Sequence, residues 1–161
     1  MGMNKGMYTS NSCEWETPLD FFKDLDAEFH FDVDVCATPE NAKCTEYYTK
    51  ADDGLKKTWR GSCWMNPPYG RGIGKWMKKA YESAQSGATV VCLVPARTDT
   101  GWWHDYAMRG EVRFVRGRLR FNGLNCNAPF PSAVVIFRGR ADWKKEEGQW
   151  NEENAAAAAI P

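Results

Sequence analysis

An α/β sandwich, with a mostly parallel sheet finished by an antiparallel strand pair, is predicted by three features of the 161-residue sequence. Strand-like and helix-like patterns alternate between residues 17 and 110, the signature of βα units. The run "ATVVCLVPA" is continuous, β-branched and free of polar interruptions, as expected of a strand buried on both faces of a parallel sheet. Near the end, "EVRFVRGRLRF" and "SAVVIFRG" follow one another with only a Gly-, Asn- and Pro-bearing loop between them, which predicts two paired strands.

Thr17-Pro18 predicts the first helix start, with Thr17 as the cap, Pro18 at the first helical position and Asp20 in the first turn. Leu19, Phe22, Leu25 and Phe29 then recur at helical spacing. "FHFDVDVCA" alternates and then turns apolar, predicting a strand that ends near Ala37. "TPENAKCTEYYT" reads as a connection with a short strand at Tyr47-Tyr48, "ADDGL" as a turn, and "SCWMN" as a second core strand. Trp76, Met77, Ala80, Tyr81 and Ala84 mark one face of a helix that stops at Gly87. "TGWWHDYAMRG" predicts a short helix closed by Gly110. Residues 1–13 read as a flexible arm, 14–140 as the folded domain and 141–161 as a charged, alanine-rich tail.

Apolar residues at 43% and aromatic residues at 14% describe a folded globular chain. No apolar run reaches membrane-spanning length, and no signal peptide opens the sequence. The six cysteines, Cys13, Cys36, Cys44, Cys63, Cys92 and Cys126, form no C-x-x-C pair, and there are two histidines, so no metal site is expected. Cysteines within strand-like runs suit small core residues in a reducing cytoplasm. The net charge of zero hides a polarity: residues 1–55 carry −8 and residues 56–120 carry +9. A basic middle favours a polyanion, nucleic acid foremost.

In α/β folds ligands bind at the carboxyl ends of strands. Three stretches fall there: "DVCA", "ADDGL" and "NPPY". The last is the most informative. Pro67 and Pro68 fix two φ angles and remove two backbone donors, leaving carbonyls that only accept. Asn66 adds a side-chain acceptor and Tyr69 a flat ring. Such a loop suits a planar molecule with an exocyclic NH₂, its hydrogens held by acceptors and its ring stacked on Tyr69. Orienting that weak nucleophile and stabilising the charge that develops on it require no strong base.

Asn-Pro-Pro-Tyr resembles the catalytic motif of amino-methyltransferases that use S-adenosylmethionine. The segments "WETPLDFF", "FDVDVCATPENAKC", "DDGL…W", "WMNPPYGRGIGKW", "LVPARTDTGWWHDY" and "GRLRF…APFPSAVVIF" are together similar to the phage-type DNA N6-adenine methyltransferase (Dam) family over roughly residues 14–138. The resemblance implies a Rossmann-like methyltransferase fold, S-adenosylmethionine as cofactor and DNA as substrate. It implies a base flipped into the Asn-Pro-Pro-Tyr loop and a phage- or prophage-encoded protein acting in a bacterial cytoplasm. By that resemblance Asn66, Pro67, Pro68 and Tyr69 are catalytic. Trp15, Thr17, Pro18, Asp34, Cys36, Ala37, Asp53 and Asn66 contact the cofactor, with Thr17 and Pro18 at its methionine carboxylate. "DVCATPEN" stands where many methyltransferases have a glycine-rich F-x-G-x-G segment, a departure the phage family shares. Arg71, Lys75, Arg97, Arg116, Arg118 and Arg120 are the expected DNA contacts, Arg118 and Arg120 sharing a strand face by period-two spacing.

His104 is expected to be a structural or surface histidine rather than a general base, and Trp102 and Trp103 core and surface aromatics. The same motif also suits N4 of cytosine or a protein glutamine amide, although the basic segment disfavours a protein target. A catalytically silent DNA-binding module of the same fold and a Pro-Pro-Tyr docking protein are the alternatives from other classes. The recognition sequence, strand preference and oligomeric state are not encoded in any motif here.

Overall fold

A computed structural model describes residues 15–121 and 127–139. The expected N-terminal arm, the C-terminal tail and part of the loop at 122–131 lie outside them. The described residues form a six-stranded sheet, β1 (Val33–Asp34), β2 (Glu46–Tyr47), β3 (Ser62–Met65), β4 (Thr89–Pro95), β5 (Glu111–Phe114) and β6 (Ser132–Phe137). Its order is β2-β1-β3-β4-β6-β5. β2, β1, β3 and β4 run parallel, while β6 is antiparallel to both β4 and β5. The helices are α1 (Leu19–Phe29), α2 (Ile73–Gln85) and α3 (Gly101–Asp105). This is the α/β fold expected of the sequence.

α1 buries Phe22 and Leu25 and sets the Phe22 ring edge-on to Trp64 of β3, 5.4 Å between centroids. It ends at His30, whose N–H still donates to the Asp26 carbonyl and whose left-handed backbone (φ 49°) turns the chain out of the helix. Thr17 does not cap this helix as expected. Pro18 occupies the cap position without a side-chain bond, and the Thr17 hydroxyl is engaged by Asn66 instead.

β1 is far shorter than the alternation of "FHFDVDVCA" suggests. Pairing continues on either side, with Asp32 N–H donating to the Ser62 carbonyl and Val35 N–H to the Trp64 carbonyl. Beyond Asp34 the chain curls, because the Asp34 carboxylate accepts the backbone N–H groups of Cys36 (3.3 Å) and Lys43 (3.0 Å). A strand cannot stay regular around a side chain that gathers its own following loop.

β4 is buried along Val90–Pro95, as its composition requires, but one neighbour, β6, is antiparallel. β5 stops at Phe114 rather than running to residue 121. Val115 N–H makes a last bond to the Ser132 carbonyl, and Gly117 at φ +74° turns the chain. Arg118 and Arg120 therefore do not share a strand face. Arg113, inside β5, is structural: its guanidinium donates to both Glu28 oxygens at 2.7 and 2.8 Å and to Glu111 at 2.6 Å.

The chain leaves β1 towards β2 on one side and leaves β3 towards β4 on the other. The crevice between the carboxyl ends of β1 and β3 is thus the topological switch point, where open α/β sheets place their ligands.

Candidate active site

A cavity of about 390 Å³ opens at that switch point. The end of β1 and the segment after it (Asp34, Cys36, Ala37), the segment before β3 (Asp53, Gly54) and the one after β3 (Asn66, Pro67, Pro68) line it together. Trp15 and Thr17, which lead into α1, complete one wall.

Asn66 is the best-defined group. Its amide nitrogen donates to the Trp15 carbonyl and to Thr17 Oγ1 at 3.0 Å. A backbone carbonyl only accepts, so these bonds orient the amide with its oxygen on the opposite side. That oxygen, Oδ1, is buried and has no hydrogen-bond partner among the described residues. Leaving a buried acceptor unmet costs about 1–3 kcal/mol. Trp15 and Thr17, predicted from sequence as cofactor contacts, thus also hold the Asn66 side chain.

Asp34 is 3% exposed. Burial pushes its carboxyl up to about 6, against the lowering effects of the Lys43 and Cys36 N–H groups and the Lys43 charge. Cys36 is half-buried and Ala37 buried, with Ala37 N–H donating to the Tyr48 carbonyl at 3.0 Å. Asp53 has a left-handed backbone (φ 52°) and pairs with Lys56 at 3.3 Å, so it shapes the turn as well as the wall.

Two predicted residues are placed differently. Pro18 is not part of the cavity wall. Tyr69 is not either: its ring is 8% exposed, its hydroxyl donates to the Leu93 carbonyl at 3.2 Å, and Phe130 (5.5 Å) and Phe121 (6.3 Å) stand edge-on to it. The expected open stacking plate is a packed ring, because the loop before β6 folds over it. Burial raises its phenol well above the ordinary range.

Other wall residues were not singled out from sequence. Glu16 and Lys43 form an ion pair at 3.1 Å across the wall. Trp76 reads as core by its helical spacing but reaches the cavity, stacked on Trp59 at 6.1 Å. Glu16 and Lys43 lie inside the family-like segments, which was the available signal. Nothing in the periodicity of α2 separates Trp76 from a core residue.

The family model described as DNA N-6-adenine-methyltransferase (Dam) matches residues 7–152. The chain belongs to this family. Among curated relatives, it is 32% identical over 129 residues to the DNA N-6-adenine-methyltransferase of Escherichia phage T1, covering 64% of this chain and 54% of the relative. It is 33% identical over 104 residues to the protein of the same name from Haemophilus phage HP1, covering 63% and 60%. The match therefore spans little more than half of each relative's length.

In this Dam-family chain the expected DNA contacts gather at one edge. Arg71 follows the Asn-Pro-Pro-Tyr loop, Lys75 is in the first turn of α2, and Arg97 follows β4. The pairing of Pro95 with Ser132 and of Phe114 with Ala133 brings the end of β5 to the same edge, so Arg116, Arg118 and Arg120 join them. All six are exposed. Arg71, Lys75, Arg97, Arg116 and Arg118 make no ion pair among the described residues. The ring Nε2 of His104 lies 2.7 Å from the Thr98 carbonyl oxygen, and Trp103 is core at 2% exposure. Burial pushes the thiols of Cys44 and Cys63 up to about 12, so neither is a ready nucleophile. Among the described residues no helix is long and apolar enough to cross a membrane, and no side-chain group is arranged to hold a metal ion.

Proposed function

We propose that this chain transfers the methyl group of S-adenosylmethionine to N6 of adenine in DNA, at the cavity beside Asn66. The observation that carries the proposal is the buried Asn66 Oδ1, which has no partner among the described residues. A fixed carbonyl in that position needs an N–H donor, and an exocyclic aromatic amine supplies one. The residues fit the cofactor as well. The cavity volume of about 390 Å³ lies in the range of small-molecule sites, roughly 300–1,000 Å³. Glu16, Asp34 and Asp53 on its wall suit a ligand carrying sulfonium and ammonium charges. S-adenosylmethionine supplies an electrophilic methyl group when bound. Asn66 then accepts a proton of the target amine in a hydrogen bond and holds its nitrogen in line, while Pro67 and Pro68 keep the loop rigid.

An adenine inside a duplex cannot reach this cavity, so the base must leave the stack. Stacking on Tyr69 additionally requires the edge-on rings of Phe121 and Phe130 to give way. The exposed cations at the sheet edge hold phosphates. Replacing Arg97 and Arg116 with glutamine should weaken DNA binding and reduce the slope of log K against log salt by about one for each phosphate left without its cation. Fluorescence anisotropy across a salt series measures it, and an unchanged slope would place the phosphates elsewhere.

Asp34 gives the site a pH dependence. With its carboxyl raised to about 6, the wall loses a negative charge as pH falls through that value. Affinity for the cationic cofactor should therefore rise between pH 5 and about 7 (calorimetric titration), and a flat profile would separate Asp34 from the cofactor. In the ligand-free protein the sign is the reverse. A carboxyl whose folded pKa lies above the unfolded value of ~3.9 adds stability below that value, lost as pH rises through about 6.

The activity itself is tested by incubating unmethylated DNA with methyl-labelled S-adenosylmethionine and analysing the digested nucleosides by mass spectrometry. Labelled N6-methyldeoxyadenosine is expected. A labelled N4-methylcytosine nucleoside, or no label in DNA from a folded, cofactor-binding protein, would overturn the assignment.

A further inference from the structure

We propose that Lys43 is the receptor for the carboxylate of the cofactor's amino-acid end, with Glu16 and Asp34 facing its ammonium. The proposal rests on the S-adenosylmethionine reading above. It starts from an ion pair in an unusual place. The Lys43 side chain is 9% exposed, its ammonium lies 3.1 Å from Glu16 Oε1, and both residues form part of the cavity wall. An ammonium carries three donors, and among the described residues this one uses a single hydrogen bond. Buried donors are seldom left unmet. The Lys43 side chain is largely enclosed while that of Glu16 is 37% exposed, and their single bond leaves two ammonium protons for a further acceptor.

The expected alternatives offer less. Pro18 is not on the wall, and Thr17 Oγ1 accepts the Asn66 amide, leaving one hydroxyl proton. A helix N-terminus remains at α1, but the residue of that segment next to it on the wall is Thr17, itself 2% exposed. Lys43 is also fixed in place: its backbone N–H donates to Asp34 Oδ2 at 3.0 Å, so one loop carries the cation and binds the neighbouring anion. Glu16, Asp34 and Lys43 together present two negative charges and one positive. S-adenosylmethionine presents the complement, an ammonium and a sulfonium beside one carboxylate. Asp53, elsewhere on the wall, is paired with Lys56.

Calorimetric titration of the full chain with three adenosine derivatives tests the assignment. S-adenosylmethionine has the whole amino-acid end, decarboxylated S-adenosylmethionine lacks only the carboxylate, and methylthioadenosine lacks both groups. The wild type should bind S-adenosylmethionine at least about tenfold more tightly than the decarboxylated compound. Lys43→Met should erase that preference while leaving methylthioadenosine affinity within roughly twofold, and Lys43→Arg should restore most of it. Equal loss for all three ligands in Lys43→Met, or no loss, overturns the proposal. Should Lys43→Met fail to fold by circular dichroism, the wild-type comparison decides alone, and equal affinity with and without the carboxylate overturns it. A wild type that binds none of the three would instead sink the cofactor reading itself.

Discussion

Replacing Asn66 with alanine is expected to lower methyl transfer by roughly 10²–10³-fold, the usual effect of removing one preorganised hydrogen-bonding group from a reaction centre. The reason is geometric. The amide nitrogen is held by the Trp15 carbonyl and Thr17 Oγ1, so the amide is fixed in one orientation and its Oδ1 keeps an unmet acceptor among the described residues. Alanine removes the acceptor and also frees two groups on the segment leading into α1. Cofactor affinity should therefore fall too, but by less than tenfold, and the main loss should appear in kcat. Single-turnover methylation with cofactor affinity measured in parallel separates the two. Turnover within threefold of wild type would show that the target amine is held elsewhere.

Gly54→Ala should damage stability and cofactor binding together. An added Cβ would lie 2.2 Å from the Val35 carbonyl oxygen and 3.2 Å from the Trp76 ring. The first contact is against backbone in the core, since Val35 is fully buried. Relief requires the turn to move away from β1, and that turn also accepts the buried Trp59 Nε1–H bond at 2.8 Å. Overpacking of this kind costs about 1–3 kcal/mol, a fall in Tm of several degrees for a chain of this size. Gly54 and Trp76 both line the cavity, so cofactor affinity should drop by about tenfold or more. Gly74→Ala is the control. Its Cβ would meet nothing closer than 3.5 Å, and within α2 alanine is favoured over glycine by roughly 0.5–1 kcal/mol. Thermal unfolding should therefore show opposite signs at the two glycines. A Gly54→Ala protein as stable as wild type would mean that the turn adapts without strain.

The residues that decide the chemistry differ in how legible they are. Pro67 and Pro68 announce a rigid, donor-poor loop through local covalent geometry alone, so their place after a core strand could be read directly. The continuous apolar run of β4 and the helical spacing of α2 are likewise local patterns, and both elements form where expected. Strand ends were less legible. "EVRFVRGRLRF" has β-like composition throughout, but only Glu111–Phe114 find a partner strand, and Gly117 turns the rest away. The alternation of "FHFDVDVCA" likewise ignores the pull of Asp34 on the backbone of its own loop.

Sequence by itself determined the α/β class, the position of the Asn-Pro-Pro-Tyr loop and its membership in a methyltransferase-like set of segments, because each is carried by neighbouring residues. Tertiary structure decided which of Asn66's two polar atoms is free, that the Tyr69 ring is enclosed, and that Glu16 and Lys43, far apart in the chain, meet on one wall. Those facts depend on hydrogen-bond partners and packing neighbours contributed by distant segments. No local periodicity encodes a partner 27 or 51 residues away.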